Sequence, residues 1–128
     1  MNDMLDIKPS SGETSRKPRG ALEVIAQWSL TSAPGLLEAR LVWFTRGKGT
    51  EDVGIVATER IESPDASGQR RVRFTLPDAP YSFSGRLISL IWAVELVADR
   101  AAARWEFVLA PEGREIQLKQ PTDAPRLR

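Results

Sequence analysis

The chain has 128 residues, enough for one domain that buries a core without staples. It contains neither cysteine nor histidine, which excludes a disulfide framework, thiol nucleophiles, Ser-His-Asp and Cys-His catalysis, and histidine-metal chemistry. Lysine and arginine number 18 against 17 aspartate and glutamate, a net charge of +1. That balance points to neither nucleic acid nor a charged membrane surface as partner.

Residues 1–20 are rich in Ser, Lys, Pro, Asp and Gly, with Met4, Leu5 and Ile7 as an apolar cluster. They hold no apolar run of signal-peptide length. Such a segment buries too little surface to offset its ordering entropy, so a flexible arm is expected. The cluster suits strand addition to a sheet edge, and Met4, Leu5 and Ile7 are the expected contacts of a partner-ordered arm. On that reading, deleting residues 1–19 leaves the melting temperature within a few degrees.

Residues 21–30 alternate, with Leu22, Val24, Ala26, Trp28 and Leu30 on one face of a strand. Residues 31–35 read as a turn around Pro34 and Gly35. In residues 37–45, Leu37, Ala39, Leu41 and Trp43 alternate with Glu38 and Arg40. Residues 46–52 form a polar loop with two glycines, 53–61 a third strand and 62–68 a second loop. In residues 69–76, Val72, Phe74 and Leu76 face inward, with Arg71, Arg73 and Thr75 outward. Residues 77–80 are a two-proline crossing that cannot join a central ladder. The longest run follows Gly85. Its even positions Ile88, Leu90, Trp92, Val94 and Leu96 are all apolar, and its odd row is half so. A strand with one wholly apolar face needs a second sheet to cover it. Residues 102–109 repeat the alternation, and residues 115–119 form a last strand. A helix over residues 93–104 competes, against the clustering of Ile, Trp and Val there. The expectation is an all-β antiparallel sandwich of about seven strands over residues 21–119, with a loose tail at 120–128. No segment has the roughly 20 apolar residues of a spanning helix.

Residues 41–52, Leu-Val-Trp-Phe-Thr-Arg-Gly-Lys-Gly-Thr-Glu-Asp, resemble the aromatic strand and "T-x-G-K-G-x-x-D" turn of arrestin-like domains. Residues 76–96, Leu-Pro-Asp-Ala-Pro-Tyr-Ser-Phe-Ser-Gly-Arg-Leu-Ile-Ser-Leu-Ile-Trp-Ala-Val-Glu-Leu, resemble that family's "P-x-S-y-x-G" crossing into a long "I-x-W-x-V" strand. The resemblance implies an immunoglobulin-like sandwich that binds proteins or membrane-associated cargo and has no catalytic centre. Arrestins carry two sandwiches in tandem, and this chain has room for one. The interdomain polar core and the clamp around a phosphorylated tail are therefore not carried over.

Arg70, Arg71 and Arg73, with Arg60 and Arg86, form a candidate basic face for phosphate or acidic peptide; edge protection is the alternative. Arg46 to Thr50 lacks the spacing of a phosphate-binding Walker loop. Glu51, Asp52, Asp65, Asp78 and Asp99 lack calcium-loop spacing and read as solvated turn acids, so no metal site is expected. Glu95 reads as a charge on the wetter face, paired with an arginine. Trp28, Trp43, Trp92 and Trp105 each fall on the more apolar row of their strand, which favours core packing over a carbohydrate platform. The expected function is a non-enzymatic, cofactor-free, cytoplasmic interaction or structural module. It has a protein partner or self-assembles, binds no nucleic acid and has peripheral membrane contact open to it. The alternative is a carbohydrate- or lipid-binding sandwich. Exposure of the tryptophans separates the two.

Overall fold

The period-2 alternation folds as expected into two facing sheets with no helix among the described residues. The structure, a computed structural model, describes residues 3–12, 15–49, 51–85, 88–111 and 116–117. Its strands are β1 (Met4–Pro9), β2 (Ser15–Arg16), β3 (Ala21–Ser29), β4 (Leu37–Gly47), β5 (Val53–Arg60), β6 (Ser67–Thr75), β7 (Phe83–Ser84), β8 (Ile88–Ala98), β9 (Ala101–Leu109) and β10 (Ile116–Gln117). The smaller sheet runs β1-β3-β6. The larger runs β10-β7-β8-β4-β5, with β9 also on β8 and β2 on β9. β4 and β8 form the centre of the larger sheet, antiparallel over their whole length from Leu37↔Ala98 to Gly47↔Ile88. The other side of β8 is shared by β9 and, near its start, by β7. The 120–128 tail and Arg86 lie outside the described residues.

The inner rows meet in one core. Leu22, Val24, Leu41, Trp92, Val94 and Leu96 are wholly excluded from solvent. The helix considered over 93–104 is replaced by a strand, a two-residue turn at Asp99 and Arg100, and a second strand. Asp99 sits at φ 52°. Its carboxylate accepts bonds from the Gly35 and Leu36 amides, at 3.3 and 3.0 Å, which ties the turn to the start of β4.

Two tryptophans lie across a strand from a glycine, Trp43 opposite Gly54 and Trp28 opposite Gly68. Each indole covers its glycine. A Cβ added at Gly68 would stand 2.7 Å from Trp28 Cζ2, so that position admits no side chain without displacing the ring. The aromatic supplies the packing that the glycine lacks.

The crossing between β6 and β8 is held by two of the residues that carry the family resemblance. The Pro80 carbonyl accepts a 2.7 Å bond from Trp92 Nε1. Ser82 is 1% exposed. Its Oγ accepts from the Leu109 amide at 2.9 Å and its amide donates to the Leu109 carbonyl at 2.8 Å. The crossing thus satisfies polar groups that would otherwise be buried without partners.

The expectation of a loose, partner-ordered N-terminal arm is corrected. Residues 4–9 pair antiparallel with β3 in the same chain, from Met4↔Ser29 to Pro9↔Val24. Ile7 is 5% exposed, and Leu5 packs against the core. Met4 alone of the three candidate contacts is exposed, at 42%. The physical reason is the alternation of Leu5, Ile7 and Pro9 against Met4, Asp6 and Lys8. One apolar row, though short, has β3 to pair with and β8 and β9 to rest on. The polar composition around it hid that period.

Candidate functional site

The basic face read from adjacent arginines divides in the fold. Arg71 and Arg73 lie on the outward row of β6, opposite Ile25 and Glu23. Arg71 Nη1 reaches Glu23 Oε1 at 3.3 Å. Arg70, one residue earlier, is in register with Ala26 on the inward row, yet exposed beyond the rim of the sandwich. Arg60 is on β5, in the other sheet, 4.0 Å from Glu62. Of the described candidate arginines only Arg71 and Arg73 therefore share a face, with Lys8 on the same line across Ile25 and Glu23 offsetting part of the charge.

The candidate acids are likewise dispersed. Asp99 is committed to its turn, Asp78 pairs with Arg19 at 3.0 Å, and Glu95 receives Arg104 at 2.6 Å. Among the described residues no three acidic side chains come together to hold a metal ion. A cleft of 310 Å³ at one end of the sandwich is lined by Asp3, Thr31, Asp99 and Arg100, among others. Asp3 is occupied there by the Thr31 amide and hydroxyl, both at 2.8 Å. These polar groups serve the turns rather than a ligand.

Among the described residues no aromatic side chain is exposed. Trp28 and Trp92 are buried, at 5% and 0%, while Trp43 and Trp105 are half-buried against the core. Trp105 stacks on Phe107 at 5.2 Å and is covered by the Arg16 guanidinium. The described residues therefore present no exposed aromatic platform for sugar rings. On the outer face of the larger sheet, Phe44 lies under two guanidinium groups, Arg104 at 4.3 Å and Arg46 at 5.3 Å. Arg46 is held by Glu106 at 2.9 Å and Arg104 by Glu95. This lattice closes the middle of the face over Val42, Phe44 and Ala93.

The sheet edges differ sharply. β2 pairs with β9, and β10 pairs with β7. β1 is short, carries Lys8 and ends on Pro9. β6 presents Arg70, Arg71 and Arg73. Short strands, proline and charge are the usual means of blunting an edge. β5 has neither proline nor charge in its middle, and a bulge at Val56 is the one such device there. It bonds β4 on one side only. Val53, Ile55 and Val56 are 63, 59 and 42% exposed, and besides Met4 they are the exposed large apolar side chains among the described residues. Val53 and Ile55 stand opposite Phe44 and Val42 and so continue that apolar row outward. Val56 is the extra residue of a bulge, where β4 passes from Leu41 to Val42 and β5 from Ala57 to Ile55. Sequence reasoning marked residues 53–61 as a strand but not as an edge. The run Val-Gly-Ile-Val-Ala-Thr, without charge from residue 53 to 58, marks an apolar strand but not its place in the sheet.

No family model matches the chain, and no curated protein does. Among solved structures it is similar to Spo0M, the sporulation control protein of Bacillus subtilis, with a TM-score of 0.58 and 10% identity. The match covers 84% of this chain and 49% of Spo0M, so the chain spans about half that protein's length. The likeness concerns fold alone. Together with the two antiparallel sheets it supports a β-sandwich of arrestin-like kind. A β-glucosidase from Listeria innocua, solved with gluconolactone, matches over 89% of this chain and 16% of its own, at 14% identity and a TM-score of 0.46. At that score the likeness says nothing about activity.

Proposed function

We propose that this chain is a non-enzymatic protein-interaction module that works in the cytoplasm and binds its partner along β5. The carrying observation is the contrast between edges. β6 is armed with arginines, whereas β5 leaves an apolar strand with one unpaired edge in solvent. Such an edge offers a row of backbone donors and acceptors to an added strand, with side-chain contacts setting selectivity. The absence of histidine and cysteine supports a binding role over a catalytic one, and the buried aromatics favour it over sugar recognition. A binding role accords with the control function in the name of Spo0M. No helix among the described residues is long and apolar enough to cross a membrane.

The test is capture from host extract with wild type and Ile55→Lys. At 59% exposure, Ile55 tolerates a charge with stability changed by about 0.5 kcal/mol or less. The variant is expected to melt as wild type does and to lose the protein that wild type retains. Retention of the same protein by both would refute β5 as the docking edge.

A further inference from the structure

The ends of β5 carry a second pattern. Residues 51–62 hold four acids, Glu51, Asp52, Glu59 and Glu62, against one base, Arg60, and all five are exposed. The acids bracket the strand, two before Val53 and two around its end. The next base in sequence, Lys48, lies back in the hairpin loop, and Arg40, opposite Thr58 on β4, is held by Glu38 at 2.7 Å. The opposite armed edge, β6, is basic. We propose that the occupant of the β5 edge is an extended segment of another protein, apolar at alternate positions in its middle and carrying Lys or Arg at both ends. This rests on the reading of β5 as the docking edge and adds the chemistry of what docks.

Charge complementarity argues for that occupant and against a second copy of this chain. Two β5 strands laid antiparallel about their centres bring both acidic sets together, with only Arg60 of each to offset them. The bulge at Val56 also interrupts a long regular ladder between copies, since it leaves one residue of β5 out of register. A partner segment with no acidic set and no bulge of its own avoids the charge clash and meets only the one bulge at Val56. Its apolar side chains continue the Phe44–Val53 and Val42–Ile55 rows outward, and its cationic ends meet Glu51 and Asp52 at one side and Glu59 and Glu62 at the other.

The experiment titrates the purified full chain with three synthetic peptides that share a core of alternating Val and Thr. One is flanked by Lys at both ends, one by Glu, and one has the Lys flanks with Pro in the core. Exposed charge pairs each contribute a factor of about five or less. The Lys-flanked peptide is therefore expected to bind roughly tenfold more tightly than the Glu-flanked one in low salt, the gap narrowing as salt rises. The Pro peptide, unable to complete the ladder, is expected to bind weakly. Amide shifts are expected over residues 53–60, and Ile55→Lys is expected to abolish them. Sedimentation is expected to show a monomer. Equal binding of the Lys- and Glu-flanked peptides, or binding of neither, would overturn the assigned chemistry, as would a dimer abolished by Ile55→Lys. Loss of a captured protein with Ile55→Lys would still stand in those cases, so the two readings fail separately.

Discussion

Trp92→Ala is expected to cost about 3–5 kcal/mol, the sum of lost transfer energy and the cavity left behind. Domains of this kind are stable by roughly 5–15 kcal/mol, so the variant is expected to be largely unfolded or to melt far below wild type. Trp92 is wholly buried, faces Phe107 with centroids 6.2 Å apart, and bonds the Pro80 carbonyl. It thereby joins the central strand of the larger sheet to the crossing that enters it. Trp92→Phe separates the two contributions. It keeps much of the packing and leaves the Pro80 carbonyl without its donor, a smaller loss of about 1–3 kcal/mol. Urea unfolding of the three proteins measures both. A loss below about 1 kcal/mol for the alanine variant would contradict the burial of this ring.

Removing residues 1–11 is expected to unfold the domain or lower its melting temperature steeply. The truncation strips β1 from β3 and exposes the apolar row beneath Leu5 and Ile7. Ile7→Ala alone is expected to cost about 2–5 kcal/mol, since the side chain is 5% exposed. At roughly 3–6 °C per kcal/mol for a domain of this size, even that single change is readily measured in a thermal melt. A truncated chain that melts within a few degrees of wild type would restore the dispensable arm expected from composition.

What could be read in the sequence and what could not follows from the range of the forces involved. The rows of β3, β4, β8 and β9 are long, and a facing sheet imposes burial along most of β3, β4 and β8 and over the last part of β9. Their alternation is therefore strong, and Trp92 was legible as core. β1 was missed as an intrinsic strand because its apolar row is three residues long within a polar segment, and only the partner strand makes it worth ordering. β2 and β7 are two residues each and carry no period at all. The arginines were grouped by adjacency, although period 2 already sets Arg70 on the opposite face from Arg71 and Arg73. The open edge was beyond reach for a different reason. Which strand lies outermost is a property of sheet order, and Val53 to Val56 would be an ordinary interior run had another strand covered them. The bulge that reverses the faces of β5 likewise depends on its pairing with β4.

Amide hydrogen exchange on the full chain, with and without the Lys-flanked peptide, tests the central claim most directly. In the free protein, the β5 amides that do not bond β4 are expected to exchange rapidly, as those of an unpaired edge do. Bound peptide is expected to slow them, while the outward amides of β6 remain as fast as before. Protection that appears on β6, or on neither edge despite saturating peptide, would contradict the account.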